Sequence, residues 1–147
     1  EEFNRQLLGD VFFVAPARWS AKQLQGGAPV FLYHFDYVAK RLRGRLPGAN
    51  HSSEVPYVFG TWDKLGRLAQ LLAEDDRGFA LELSRCWTSF AKTGAPNCFA
   101  TEWPSYRIED DQAMVFAETA GIVQGYNAGR LDELEAIRVE RNQGVRR

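Results

Sequence analysis

Only two histidines, His34 and His51, and two cysteines, Cys86 and Cys98, occur in this chain. Their positions do not match the compact ligand spacing of a zinc site. The cysteines do not amount to a disulfide framework, so free thiols are expected, although a bridge between them is geometrically open. No apolar run approaches the roughly 20 residues that span a bilayer. The opening "EEFNRQLLGD" lacks the basic and apolar regions of a signal peptide. A processed or truncated chain would look the same, so cytoplasmic and secreted locations both stay open. Charge of one sign is not in excess: 18 basic residues face 19 acidic ones, for a formal charge of -1. That balance points away from nucleic acid and anionic membrane as partners. Internal repeats, a dinucleotide fingerprint and a phosphate-binding P-loop are also missing. Gly26-Gly27 is ordinary turn chemistry by comparison.

What is present suits one globular domain or part of one. The 147 residues are 45% hydrophobic, 25% charged and 13% aromatic, rich enough to build a core. Residues 2 to 25 read as helical segments interrupted at "APAR", with Asp10 able to cap a helix and Pro16 suited to a first turn. "VFLYHFDY", residues 30 to 37, is aromatic and nearly continuous in apolar character. Such a run suits a strand covered on both faces, as in a mostly parallel sheet. A cationic stretch, "KRLRGR", follows. It has no interleaved aromatics and reads as a solvated loop rather than a phosphate site. "LPGANHSSE" continues the loop, and Val55, Tyr57, Val58 and Phe59 anchor its end. The spacing predicts a helix over about 76 to 92, with "EDD" at its start, Gly94 at its stop and Phe79, Leu83, Trp87 and Phe90 on one face. That stripe reads as core rather than as a ligand box. "SYRI" and "AMVFAE" suggest two short strands. Leu131, Leu134 and Ile137 mark a terminal amphipathic helix.

Chemistry concentrates on His51. A histidine in a loop can be a general base, a metal ligand or an ordinary exposed residue held by turn hydrogen bonds. A nucleophile beside it would decide, and the serines do not supply one. None of Ser20, Ser52, Ser53, Ser84, Ser89 and Ser105 sits in a G-x-S-x-G elbow. Ser52 and Ser53 adjoin His51, but side chains of neighbouring residues diverge. Cys86, beside Trp87 in a helix, reads as a small core thiol.

The ordered motifs resemble the type-B carboxylesterase family, which includes the cholinesterases, and more narrowly the C-terminal portion of a bacterial carboxylesterase. "VFLYHFDY" resembles the strand leading to the family's histidine loop, and "GANHSSEVPYVFG" its catalytic-histidine segment. "LSRCWTSFAKTGAPN" resembles its later helix and exit turn, and "WPSY" and "AMVFAE" the short segments that follow. The resemblance implies an α/β class chain: the C-terminal portion of an α/β-hydrolase fold, residues 1 to 147, incomplete without the preceding sheet and catalytic segments. It places His51 on the catalytic histidine, general base and then general acid of ester hydrolysis. It places Glu54 and Asp10 in supporting positions near the site. No metal or organic cofactor is implied.

In that family the order is serine, acid, histidine, so the resemblance implies that serine, acid and oxyanion donors precede Glu1. The implied partners are therefore an upstream hydrolase segment, in cis or in trans, and a small-molecule carboxylic ester in the complete enzyme. The 147-residue chain alone is then expected to be inactive, and to self-associate if isolated. Trp19, Trp62 and the basic loop are candidates for shaping a pocket entrance. The rival readings are a non-catalytic hydrolase-like interaction domain and an inactive structural fragment.

Overall fold

The computed structural model describes residues 2–144, which fall into two compact units. Of the described residues, the first comprises 2–32, 105–113 and 123–144; the second comprises 33–104 and 114–122.

In the first unit, helix α1 (Glu2–Gly9) runs through a π-helical turn (Asp10–Val14) into α2 (Ala15–Leu24). Proline was expected to interrupt this stretch. Instead the wide turn absorbs it: the Ala15 N–H reaches back five residues to the Asp10 carbonyl, and Pro16, which has no N–H to satisfy, follows at the start of α2. Asp10 does not cap a helix. Its carboxylate is buried and lies 2.5 Å from Arg130 Nε, at an angle that makes a charge contact rather than a hydrogen bond. Arg130 belongs to α5 (Ala128–Gly144). Among the described side chains of α5, Leu131 alone is buried; Ile137, on the expected apolar face, is 53% exposed. The unit is knit by Arg18, whose guanidinium grips Asp111 with two parallel bonds (3.0 and 2.7 Å) and reaches Asp132 (2.6 Å) and Glu135 (3.3 Å). The Tyr106 hydroxyl donates to Asp111 as well (2.9 Å). "SYRI" is not a strand. Its backbone donors are taken one by one, Tyr106 N–H by the Val30 carbonyl and Ile108 N–H by the Gln25 side chain (both 2.7 Å).

In the second unit β1 is short, Tyr33–Phe35, because only these residues find a ladder partner. It pairs in parallel with β4 (Gln112–Phe116), matching Tyr33 with Met114, His34 with Val115 and Phe35 with Phe116. β5 (Ala120–Gln124), which the sequence did not signal, completes the order β1-β4-β5. The parallel pairing was expected. Burial on both faces was not met, since Tyr33 is 36% exposed and its neighbours are half-buried. Helix α4 (Glu74–Thr93) ends at Gly94, whose left-handed φ of 77° closes the helix as expected. Phe79, Ala80, Leu83 and Cys86 form its buried face, while Phe90 is 45% exposed. Met114 and Phe116 of β4 are fully buried, and Trp103 and Phe99 pack on the Phe116 ring (5.5 and 5.7 Å between centroids).

The expectation of an α/β-hydrolase portion left incomplete is therefore corrected. The described residues build helices and a parallel strand pair of their own, with buried side chains in each unit.

Free cysteines were also expected, and this too is corrected. After Gly94 the chain turns back through the hairpin β2 (Asn97–Cys98) and β3 (Thr101–Glu102), which returns Cys98 to Cys86. The Cα atoms are 5.0 Å apart and the sulfurs are bonded. The bridge closes a 12-residue separation, for which chain entropy predicts roughly 3 kcal/mol. Replacing both cysteines with alanine should lower the unfolding free energy by about that amount, read as a lower urea midpoint. Equal midpoints for the two proteins would show that the bridge adds nothing.

Candidate active site: the histidine turn

The turn that carries His51 lies in the second unit, after β1. The Ser53 N–H donates to the Asn50 carbonyl (3.1 Å). His51 and Ser52 are thus the two central residues of a β-turn. Ser52 has φ of +65°, the left-handed value that the second central residue of a type II turn needs and that glycine usually supplies. A serine held there stores about 1–3 kcal/mol of strain, and such residues cluster at functional sites. The turn is locked twice more: Asn50 N–H donates to the Ser53 hydroxyl (3.0 Å), and Val55 N–H to the Ser52 carbonyl (3.2 Å). The Ser53 oxygen therefore serves the turn. His51 itself is exposed.

A one-turn helix, α3 (Val55–Val58), follows directly, with Glu54 at its N-cap. Of the four anchors expected here, Tyr57 and Val58 are buried, while Val55 and Phe59 face outward. A four-residue helix turns its side chains all round, and only one side meets α4. Tyr57 packs on Phe35 (5.8 Å), Tyr37 (5.7 Å) and Phe79 (6.0 Å). Tyr37 stacks flat on Phe79, 3.7 Å between centroids and 10° between planes. Its hydroxyl donates to Asp76 Oδ1 (2.6 Å), which also receives the Lys40 amide N–H (2.9 Å). Asp76 Oδ2 receives the Ala73 N–H at the start of α4 (2.5 Å). Asp76 was legible only as part of an acidic helix start. Its full burial and its bonds across 36 and 39 residues were not.

His51 and Glu54 therefore share one short segment. Glu54 is half-buried and close enough to Tyr33 for its charge to raise that phenol. Asp10 belongs to the first unit and pairs with Arg130. The basic loop is tied back within its own unit. Lys40 Nζ meets Asp75 (2.5 Å), Arg41 donates to the Gln70 carbonyl (2.8 Å), and Arg43 donates to the Val38 carbonyl and pairs with Glu118 (3.1 Å). Trp62 lies under the Arg77 guanidinium, and Trp19, in the first unit, under that of Arg138. Among the described residues no cluster of three or more His, Cys, Asp or Glu is placed to hold a metal. No described helix is long and apolar enough to cross a membrane.

The tyrosines around the turn are held protonated. Burial pushes the Tyr57 phenol up to about 12, with the Asp76 charge adding to it. Burial also raises Tyr33 and Tyr37, helped by Glu54 and by the bond to Asp76 respectively. A phenol raised in the folded chain contributes stability that is present below its unfolded value near 10 and lost as pH rises through the folded value. Stability should therefore fall between about pH 10 and 12, with the tyrosinate absorbance of these residues appearing together with alkaline unfolding. Full ionisation near pH 10 with circular dichroism intact would contradict the burial argument.

Comparison with known proteins decides the family. The model of the carboxylesterase family matches residues 2–134. The chain belongs to the carboxylesterase family. It is 33% identical to the para-nitrobenzyl esterase of Bacillus subtilis (strain 168) over 115 residues, 78% of this chain and 23% of that protein. It is 36% identical to carboxylesterase 5A of Canis lupus familiaris over 107 residues, 68% of this chain and 19% of that one. A solved thermophilic PNB esterase covers 88% of the chain at 29% identity with a TM-score of 0.76, and a further PNB esterase structure does so at 28% and 0.78. Each of these two alignments takes in 26% of the solved chain. The chain thus spans about a fifth to a quarter of the length of these relatives.

The α/β-hydrolase class and carboxylesterase kinship follow from these matches. Two narrower expectations are corrected. The label of C-terminal portion of a bacterial carboxylesterase gives way to membership of the family as a whole. The match begins at residue 2, runs to 134, and joins mammalian as well as bacterial relatives. The expected partner, an upstream hydrolase segment in cis or in trans, is likewise withdrawn, since the family model matches residues 2–134 and solved esterases match 88% of the chain.

Proposed function

We propose that the chemistry this chain serves is hydrolysis of a small-molecule carboxylic ester by a serine carboxylesterase mechanism, with His51 as the proton shuttle. The observation that carries the reading is the turn itself. An exposed imidazole stands at a central position of a β-turn whose other central residue is a strained serine. The turn is locked by its own hydrogen bonds and followed by a buried aromatic anchor. A histidine that merely decorates a loop needs no such fixing. In the proposed step His51 takes the proton of the attacking serine hydroxyl and returns a proton to the leaving alkoxide. It then acts as base again for the water that releases the acyl group. Glu54, half-buried at the base of the turn, supports its geometry; Asp10 supports the first unit through Arg130.

Family membership and the names of the relatives, para-nitrobenzyl esterase among them, support an ester as substrate. The test is hydrolysis of a short-chain aryl ester by active protein, before and after His51→Ala. Unchanged turnover in a folded variant rejects the shuttle. Absence of any ester hydrolysis in protein that carries the nucleophilic serine would favour the second reading, a hydrolase-like interaction domain. That reading draws on the serines: Ser20, Ser53 and Ser89 commit their hydroxyls to local backbone bonds.

A further inference from the structure

We propose that Asp76 is the positioning residue of the histidine turn, its carboxylate fixing the point from which the His51 loop departs. The inference rests on the reading of His51 as proton shuttle.

Capping α4 does not require a buried carboxylate. An exposed aspartate or serine caps a helix as well, and removing a carboxylate from water costs several kcal/mol unless it is fully satisfied. Yet Asp76 is 0% exposed. Lys40 does not compensate it through its side chain: its Nζ goes to Asp75, and only its amide N–H reaches Asp76. Two of the three donors on Asp76, the Tyr37 hydroxyl and the Lys40 N–H, come from the segment leaving β1 toward the turn. The third, Ala73 N–H, opens α4. Asp76 therefore welds the loop's departure to the helix.

The loop's return is fixed on the same platform. Tyr57, just past the turn, packs edge-on against Tyr37 and Phe79, and those two rings are stacked on one another. Asp76 sits one turn before Phe79 on α4. Departure and return of the loop are thus both referred to one helical turn, and a shift at Asp76 moves the frame in which the imidazole is presented. A displacement of about 1 Å at a catalytic group can cost roughly a hundredfold in rate.

Two variants separate positioning from mere stability. Tyr37→Phe keeps the ring stack and the helix cap and removes one loop bond. Asp76→Asn leaves a single acceptor oxygen for three donors. In protein that carries the nucleophilic serine, aryl-ester kcat is measured per active site, counted from the burst of released aryl alcohol, alongside KM and thermal melts. The expected result is a loss in per-site kcat of about tenfold for Tyr37→Phe and about a hundredfold for Asp76→Asn, with KM nearly constant. Asp75→Asn, exposed on the same helical turn, should leave kcat unchanged. Full per-site kcat in both loop variants, even with lowered melting temperatures, would reduce Asp76 to a structural cap and overturn the inference. If Asp76→Asn does not fold, Tyr37→Phe decides. His51→Ala in the same series keeps the two claims apart. An active His51→Ala defeats the shuttle, whereas an inactive one beside fully active loop variants defeats only the positioning role.

Discussion

In folded protein that carries the nucleophilic serine, replacing His51 with alanine should lower kcat/KM for short-chain aryl esters by about ten-thousandfold. The size follows from the proposed role: removing the base of a serine triad costs about that much or more, because the hydroxyl loses its only positioned proton acceptor. His51→Gln adds a control, since it fills similar space and cannot shuttle a proton near neutral pH; it should be as inactive as alanine. A tenfold effect or less in both variants would mean that the exposed imidazole is a bystander and that the strained Ser52 serves something else.

How much of this could be read from residues alone varies with the range of the interaction. The helix over residues 74 to 93 announces itself by an acidic start, a four-residue apolar period and a glycine stop, all local signals. Periodicity tells which residues share a face but not what covers that face. Hence Phe90 and Ile137, placed correctly on their stripes, are exposed. β1 is legible from the apolar, aromatic run around it, yet its ladder is only three residues long, because strand length depends on the partner β4, some 80 residues away. The disulfide depends on a hairpin whose turning residues, Phe99 and Ala100, adopt left-handed φ without being glycine. The local word "NCFAT" gives no hint of that. His51 and Glu54 stand out only as candidates, through their surrounding motif. The aspartate that welds the loop to α4 does not stand out, since an acidic residue in a first helical turn looks the same whether it points to water or to a tyrosine 39 positions back.

Arg18 is the clearest case of that long-range blindness, and its replacement should give the largest loss of stability in the chain. It lies within "APAR" with nothing to mark it, yet its side chain is nearly enclosed and reaches carboxylates 93, 114 and 117 positions away. Substitution by methionine keeps the aliphatic stem and removes the fork. Asp111 and Glu135 are then left largely buried, Asp111 with only the Tyr106 hydroxyl and Glu135 with Lys22. Breaking a buried pair by removing one partner typically costs 3–5 kcal/mol, and roughly that loss is expected in urea unfolding. Lysine should recover only part of it, since a point charge cannot make the two parallel bonds to Asp111. The pH dependence gives an independent check. Burial alone would raise the Asp111 carboxyl, but the bonds from Arg18 and Tyr106 outweigh it and hold it below its ordinary value of 3.8. A carboxyl lowered in the folded chain contributes stability that is present above the unfolded value and lost as pH falls through the folded one. Without Arg18, burial prevails, the Asp111 carboxyl rises, and the acid limb of the stability curve should move to higher pH. A loss under about 1 kcal/mol with the acid limb unmoved would mean that water replaces the guanidinium at little cost, and that the cluster only decorates the helices it joins.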